Sequence, residues 1–435
     1  MRKLFGTDGI RGVAGEYPIT LSFCRKLAEA VVLKFCKDKS RLVIIGKDTR
    51  ISGDMLEHVM AAAFCSFGVN VKLLGIVPTP AVAILTEKFE ASVGVMISAS
   101  HNPFRDNGLK LFNRFGLKLD DKEEEELEEI IAGSDSLPAE TGSNIGRVEY
   151  DLSGLNFYRE KIRNSFVFEN PRIKILLDSS NGSFSFTAPN LLREFGFEVV
   201  SVNDSPNGVN INDNCGAVCP DVLGENVKRR GVDVGMAFDG DGDRVILADE
   251  NGNILDGDQI LAILAGAEHA DEVVSTIMSN FGLERYLLSK GIRHVRTDVG
   301  DRRISERMQK SGAKLGGEQS GHIILRSHCL TGDGLFAGLK VLEYLLKSGG
   351  KCSELRLFEP LPAVSANVPV ADKSVVFRPD AAEAVQKFTK RLEGRGKLIV
   401  RPSGTESAVR ISVEGENPSE LREIADALSQ IMARS

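Results

Sequence analysis

"RLVIIG", residues 41–46, reads as a short buried strand, and the segments after it set the fold. A polar loop leads into a helical stretch from Asp54. That stretch stops at Gly68, and a second apolar run, 69–74, comes next. The same order recurs at 172–202: strand 173–177, loop 178–182, helix 188–195, Gly196, strand 197–202. A third copy begins at 273–278, with helix 283–290, Gly291 and strand 292–295. Each glycine stands where a helix stops, as a left-handed cap residue should. Strand–helix–strand units repeating at roughly 100-residue intervals predict three related α/β domains with mixed, largely parallel sheets.

The tail has a different pattern. Segments 397–400 and 408–413 read as strands around a turn, and 418–432 as an amphipathic helix, predicting a smaller C-terminal α+β domain. The predicted domains are 1–150, 151–252, 253–363 and 364–435. Several domains suit 435 residues, because one core rarely outgrows ~250–300. The polar stretch 133–145 is a predicted linker. The acidic run 120–129 (DDKEEEELEE) reads as a solvated helix face.

Net charge is −7, which argues against a broad nucleic-acid surface. No apolar run reaches the ~18–20 residues of a membrane span. The basic pair Arg2-Lys3 has no apolar core behind it, so no secretory signal is expected. Seven cysteines without a framework spacing predict free thiols in a cytoplasmic protein. Cys215 and Cys219 alone are a poor zinc pattern.

Four loops carry chemistry. In "AFDGDGDRVIL" (237–247), Asp239, Asp241 and Asp243 alternate with glycines between two apolar runs. Such crowded carboxylates repel unless a cation joins them, and hard oxygen ligands suit Mg²⁺. An EF-hand would need glycine where Arg244 stands. The segment also fits an aspartate-nucleophile phosphatase acting through Asp241. "RPSGTESAVRI" (401–411) offers Arg401, Ser403, Gly404 and Thr405 on one turn, with Arg410 returning. That set can cradle a phosphate, and it equally suits an ordinary hairpin turn. "GGEQSGH" (316–322) presents Glu318, Gln319, Ser320 and His322, groups that match sugar hydroxyls.

"GVMISASHNP" (94–103) is a core strand that surfaces in polar residues. On an extended segment Ser100 and His101 would face opposite ways, which argues against a Ser–His relay. Ser100 could instead carry a phosphoryl group. Lys110, inside the apolar "GLKLF" (108–112), needs a partner, and such a phosphate would serve. There is no G-x-x-x-x-G-K-[ST] loop, and the 332–337 glycine pattern reads as a helix start.

"FGTDGIRG" (5–12), "SASHNP", "DGDGDR", "GEQSGH" and "RPSGTE" occur in that order along the whole chain. The set resembles the α-D-phosphohexomutase superfamily. That resemblance implies four domains around a central cleft and an isomerase that moves a phosphate between the 6- and 1-oxygens of a hexose. Ser100 would be the phosphorylated serine, with His101 beside it. Ser100 and Asp239, Asp241 and Asp243 would hold one Mg²⁺. Arg11, Lys110, Arg244 and His322 would line the reacting end, with Lys110 and His322 as candidates for moving the proton. Glu318, Gln319 and Ser320 would meet the sugar. Arg401, Ser403, Gly404, Thr405 and Arg410 would grip the other phosphate, and residues 297–302 would form a further substrate loop. Gln319 stands where phosphomannomutase/phosphoglucomutase relatives usually carry Met, which favours a glucosamine phosphate over glucose or mannose phosphate. The implied partner is the sugar phosphate alone, in a monomer or homodimer, without nucleic acid or membrane. Ser407, Cys219 and Arg303 depart from the superfamily pattern, where Pro, His and an aromatic are usual.

Overall fold

The Leu42–Lys47 strand lies inside a six-stranded sheet, parallel to Asn70–Ile76 on one side and to Val93–Ile97 on the other. The structure, a computed structural model, describes residues 4–433 apart from 38–40, 134–135, 152 and 404–406. The helix between the first two strands, Ser52–Ser66, ends ahead of Gly68, whose φ of +76° is the left-handed conformation that glycine adopts without strain. After Val93–Ile97 the chain turns back as Asp106–Asn113, antiparallel, with Ile97 opposite Leu109. Ile10–Val13 and Val148–Tyr150 complete the two edges.

The second sheet repeats the plan. Lys174–Asp178 runs parallel to Glu198–Val202 and to Val234–Phe238, after which the chain returns antiparallel as Val245–Asp249, Phe238 facing Val245. In the third, Glu272–Thr276 is parallel to Leu315–Gly317, which turns back into Ile323–Leu325. Each sheet therefore places one loop at the carboxyl end of its last parallel strand, at the turn into an antiparallel one. Those loops are 98–105, 239–244 and 318–322. Open α/β sheets characteristically bind ligands outside the carboxyl ends of their strands.

The chain separates into two compact units, residues 1–276 with 295–356, and residues 277–294 with 357–435. The second unit holds the antiparallel sheet Ala363–Pro369, Ala408–Gly415, Gly396–Pro402, backed by helices Pro379–Leu392 and Pro418–Met432. Val409, Ile411 and Val413 on the central strand meet Leu421, Ile424 and Leu428 on the last helix, the i, i+3, i+7 spacing of one apolar face. The helix Phe281–Ser289 belongs to this unit, although its sequence position lies inside the third strand–helix–strand repeat.

The acidic run is not a purely solvated face. It forms the helix Asp121–Ala132, with Asp120 and Glu123 making a reciprocal capping box. Glu124 is buried against Arg302 at 2.8 Å, and Asp121 pairs with Arg303 at 2.7 Å. Charges on the Asp301–Ser311 helix, about 180 positions away, thus neutralise one side of it. The seven cysteines are free thiols. No helix among the described residues is long and apolar enough to cross a membrane.

Candidate active site

Ser100 is not on an extended segment. Its φ is +53°, so the chain curls immediately after the strand. This overturns the opposite-faces expectation: Ser100 Oγ lies 3.4 Å from His101 Nδ1. The stronger contact is elsewhere, for Ser100 Oγ donates to Asp239 Oδ2 at 2.6 Å. Burial together with Arg244 and Arg11 pushes the His101 imidazole down to about 4, so the ring is neutral near pH 7 and is no cationic partner for the serine.

The aspartates converge. Asp239, Asp241 and Asp243 are all buried, and each offers an oxygen within 4.8 Å of the others. Their remaining oxygens are pinned. The Thr79 hydroxyl and the Lys110 ammonium, the latter at 2.6 Å, donate to Asp241 Oδ2. Lys110 also reaches Asp243 Oδ2 at 3.3 Å, and the Arg244 N–H donates to Asp239 Oδ1 at 3.2 Å. Asp241 Oδ1 and Asp243 Oδ1 are left buried without a hydrogen-bond partner. Orphaned oxygens within so close a group of buried carboxylates call for a cation. Burial, with repulsion from Asp243 and Asp241, holds the Asp239 carboxyl well above its usual range, which shows the same need. This donor set, all hard oxygen, fits Mg²⁺. Asp239, Asp241 and Asp243 would hold it, and it would supply charge neutralisation beside the serine oxygen.

Lys110, expected to need a partner, is surrounded by carboxylates. Its buried ammonium meets Asp241, Asp243 and Asp8, the last at 2.8 Å. Although burial opposes the charge, these three carboxylates hold Lys110 well above the usual lysine range. The group is held as a cation among these carboxylates. Asp8 was not singled out in the sequence. It gathers Lys110, Arg11 and Lys118, and Lys118 bridges it to Asp301. His322 is buried between Asp243 (3.7 Å) and Asp301 (3.5 Å). The Gly332 N–H donates to His322 Nε2 at 3.0 Å, which leaves the proton of a neutral ring on Nδ1, toward Asp243.

A cavity of about 410 Å³ opens over this network, of the size small-molecule sites occupy. Arg11, His101, Asp243, Arg244, Glu318 and His322 all line it. Glu318 Oε1 accepts the Gly300 N–H at 3.2 Å, which ties the 318–322 loop to the 297–302 loop. Gln319 and Ser320 do not line this cavity. Gln319 Nε2 donates to Asp256 Oδ2 at 3.1 Å, and Ser320 is exposed, 3.4 Å from Glu318.

In the second unit Arg401 and Arg410 are direct cross-strand partners. Ser403 is buried, and its carbonyl accepts a 2.6 Å bond from Lys373, a cation the sequence reading missed. Gly404 and Thr405 lie outside the described residues.

Family models for phosphoglucomutase/phosphomannomutase match in sequence order: α/β/α domain I at 2–137, domain II at 156–252, domain III at 256–360 and the C-terminal domain at 366–431. The phosphoglucosamine mutase of Paramagnetospirillum magneticum is 44% identical, covering 100% of this chain and 99% of its own length. The chain belongs to the phosphoglucomutase/phosphomannomutase family. The phosphoglucosamine mutase of Dinoroseobacter shibae is 46% identical, with 97% of each chain covered. A solved family protein from Burkholderia thailandensis shares the fold at a TM-score of 0.84, with 22% identity over 99% of this chain and 97% of its own. Asp8, Thr79 and Lys118 at the aspartate cluster and Lys373 in the second unit were not singled out in the sequence, and Asp301 was covered only as part of the 297–302 loop. Only Asp8 and Asp301 carried a usable signal, each being an acid beside glycine inside a motif.

Proposed function

We propose that this chain is a phosphosugar mutase that interconverts glucosamine 6-phosphate and glucosamine 1-phosphate. The observation that carries the reading is the 2.6 Å contact between the Ser100 hydroxyl and Asp239 inside a buried, cation-seeking aspartate cluster. Full-length similarity to curated phosphoglucosamine mutases supports the amino-sugar substrate. That product would feed amino-sugar nucleotide and cell-wall precursor synthesis. The four domains, divided near 150, 252 and 363, would each supply one loop.

The reaction runs through a phosphoryl group on Ser100. The bond from phosphorus to the serine oxygen breaks as one forms to the 6- or 1-hydroxyl oxygen of the sugar, and that hydroxyl's proton passes to a base. The sugar bisphosphate turns end for end, and the reverse step returns the other phosphoryl group to Ser100. Arg11, Arg244 and the fixed cation Lys110 balance charge at the transferring group. Lys110 and His322, both held above their usual ranges by neighbouring carboxylates, are the candidates for carrying the hydroxyl proton. Bound Mg²⁺ supplies further charge neutralisation at this end. Glu318 orients sugar hydroxyls, with Ser320 and Gln319 in the same loop. Arg401, Ser403, Gly404, Thr405 and Arg410 take the phosphate that does not react. We place the enzyme in the cytoplasm, as a monomer or homodimer.

The test compares glucosamine 6-phosphate, glucose 6-phosphate and mannose 6-phosphate with the purified protein. The amino sugar is expected to lead in kcat/KM by at least ~10-fold. Preference for either neutral sugar would overturn the substrate, and release of inorganic phosphate without isomerisation would overturn the reaction. Arg401→Ala is expected to raise KM by about 10–100-fold with a smaller change in kcat, since it removes binding that ground and transition states share. A fall confined to kcat would contradict that role.

A further inference from the structure

The loop that carries Ser100 is held by side chains that the reaction scheme leaves unused. Arg50 lies just beyond the Leu42–Lys47 strand and is fully buried. Its guanidinium donates to the carbonyls of Ser100 (2.9 Å), Asn102 (2.8 Å), Asp106 (3.0 Å) and Pro103. Its Nε is anchored on Asp48 at 2.8 Å. Asp48 also accepts the Ser98 hydroxyl at 2.6 Å, and Ser98 Oγ accepts the Ser100 N–H at 2.9 Å. On the other side, Asn212 Nδ2 donates to the same Ser100 and Asn102 carbonyls, at 2.9 and 3.1 Å.

We infer that Arg50 and Asn212 form a two-sided clamp whose task is to aim the Ser100 hydroxyl at the aspartate cluster. The physical need is specific. Ser100 sits at φ +53°, where a residue with a Cβ is strained and persists only if its surroundings impose it. The curl turns carbonyls inward, and a buried carbonyl without a donor is costly. A guanidinium, with donors spread over a plane, can serve four carbonyls and a carboxylate together; an ammonium cannot. Neither Arg50 nor Asn212 lines the substrate cavity, so both are positioning residues.

This inference rests on the mutase reading for its kinetic arm alone. Arg50→Ala is expected to lower kcat about 100-fold, the scale for displacing a reacting atom by about 1 Å, while KM for glucosamine 6-phosphate stays within about 3-fold. Arg50→Lys should not restore the rate, whereas millimolar guanidinium added to Arg50→Ala should recover part of it. Amide hydrogen exchange supplies an arm independent of activity: residues 99–106 should lose protection in Arg50→Ala while the Val234–Phe238 strand keeps it. Asn212→Ala, a change at a half-buried position, should lower kcat by about 10-fold and loosen the same loop, and it serves if Arg50→Ala does not fold. An inactive wild-type protein overturns the mutase reading but leaves the exchange arm to judge the clamp. Unchanged loop exchange, or kcat in Arg50→Lys equal to wild type, overturns the clamp.

Discussion

Ser100→Ala is expected to lower mutase turnover by about four powers of ten, as removal of an enzyme's nucleophile does. The loss should be chemical and not structural. The loop is held through its carbonyls by Arg50 and Asn212, and neither contact uses the serine hydroxyl. Thermal stability should stay near wild type, and intact mass should show no covalent phosphate after incubation with a sugar bisphosphate. Ser98 cannot take over, because its buried hydroxyl is committed to Asp48 and to the Ser100 N–H. Near-normal turnover in the variant would remove the serine from the scheme. It would also revive the alternative in which Asp241 is the nucleophile. The geometry opposes that alternative: Asp241 Oδ2 is occupied by Thr79 and Lys110, and Oδ1 is buried in a cluster of three carboxylates. An aspartate so engaged is arranged as a ligand.

How far this site could be read in the sequence depends on what kind of contact each residue makes. The sheets were legible because buried parallel strands are continuous apolar runs and helices stop at glycine. Gly68, Gly196 and Gly291, at φ +76°, +91° and +71°, stand where the pattern put them. The site loops were legible as polar breaks after those runs. The curl at Ser100 was not, since serine carries no preference for a left-handed backbone. Lys110 was recognisable as a charge in need of a partner, but which partner depended on how loops from different sheets meet. Its bond to Asp241 spans 131 positions and that of Thr79 spans 162. No periodicity links such residues. Arg50 was hidden for the same reason: an arginine after a strand looks like ordinary loop polarity until the carbonyls around it are seen.

Lys110→Met should uncouple stability from catalysis in a way that reveals what the lysine balances. Methionine keeps much of the length and apolar contact of the side chain and removes the charge. Buried Asp241 and Asp243 and half-buried Asp8 are then left without it, and breaking a buried ion pair from one side costs about 3–5 kcal/mol. The deficit should be measured by denaturant unfolding with a chelator present, and saturating Mg²⁺ should recover part of it. Its pH dependence is set by the carboxylates. Burial alone would raise Asp8 and Asp243, but in the wild-type protein both lie well below the usual range, with Lys110 the leading cause. A carboxyl depressed in the folded state contributes stability above its unfolded value near ~4, and that contribution fades as pH falls through the folded value. Without Lys110 these carboxyls rise instead and take up protons. The gap between wild type and variant should therefore be widest near neutrality and should narrow below about pH 4. Turnover should fall by about 10²–10³-fold, the scale for losing a fixed charge that faces the transferring group. A gap that does not change with pH would mean that Lys110 fills space and balances no charge, and full activity in the variant would remove it from the reacting end.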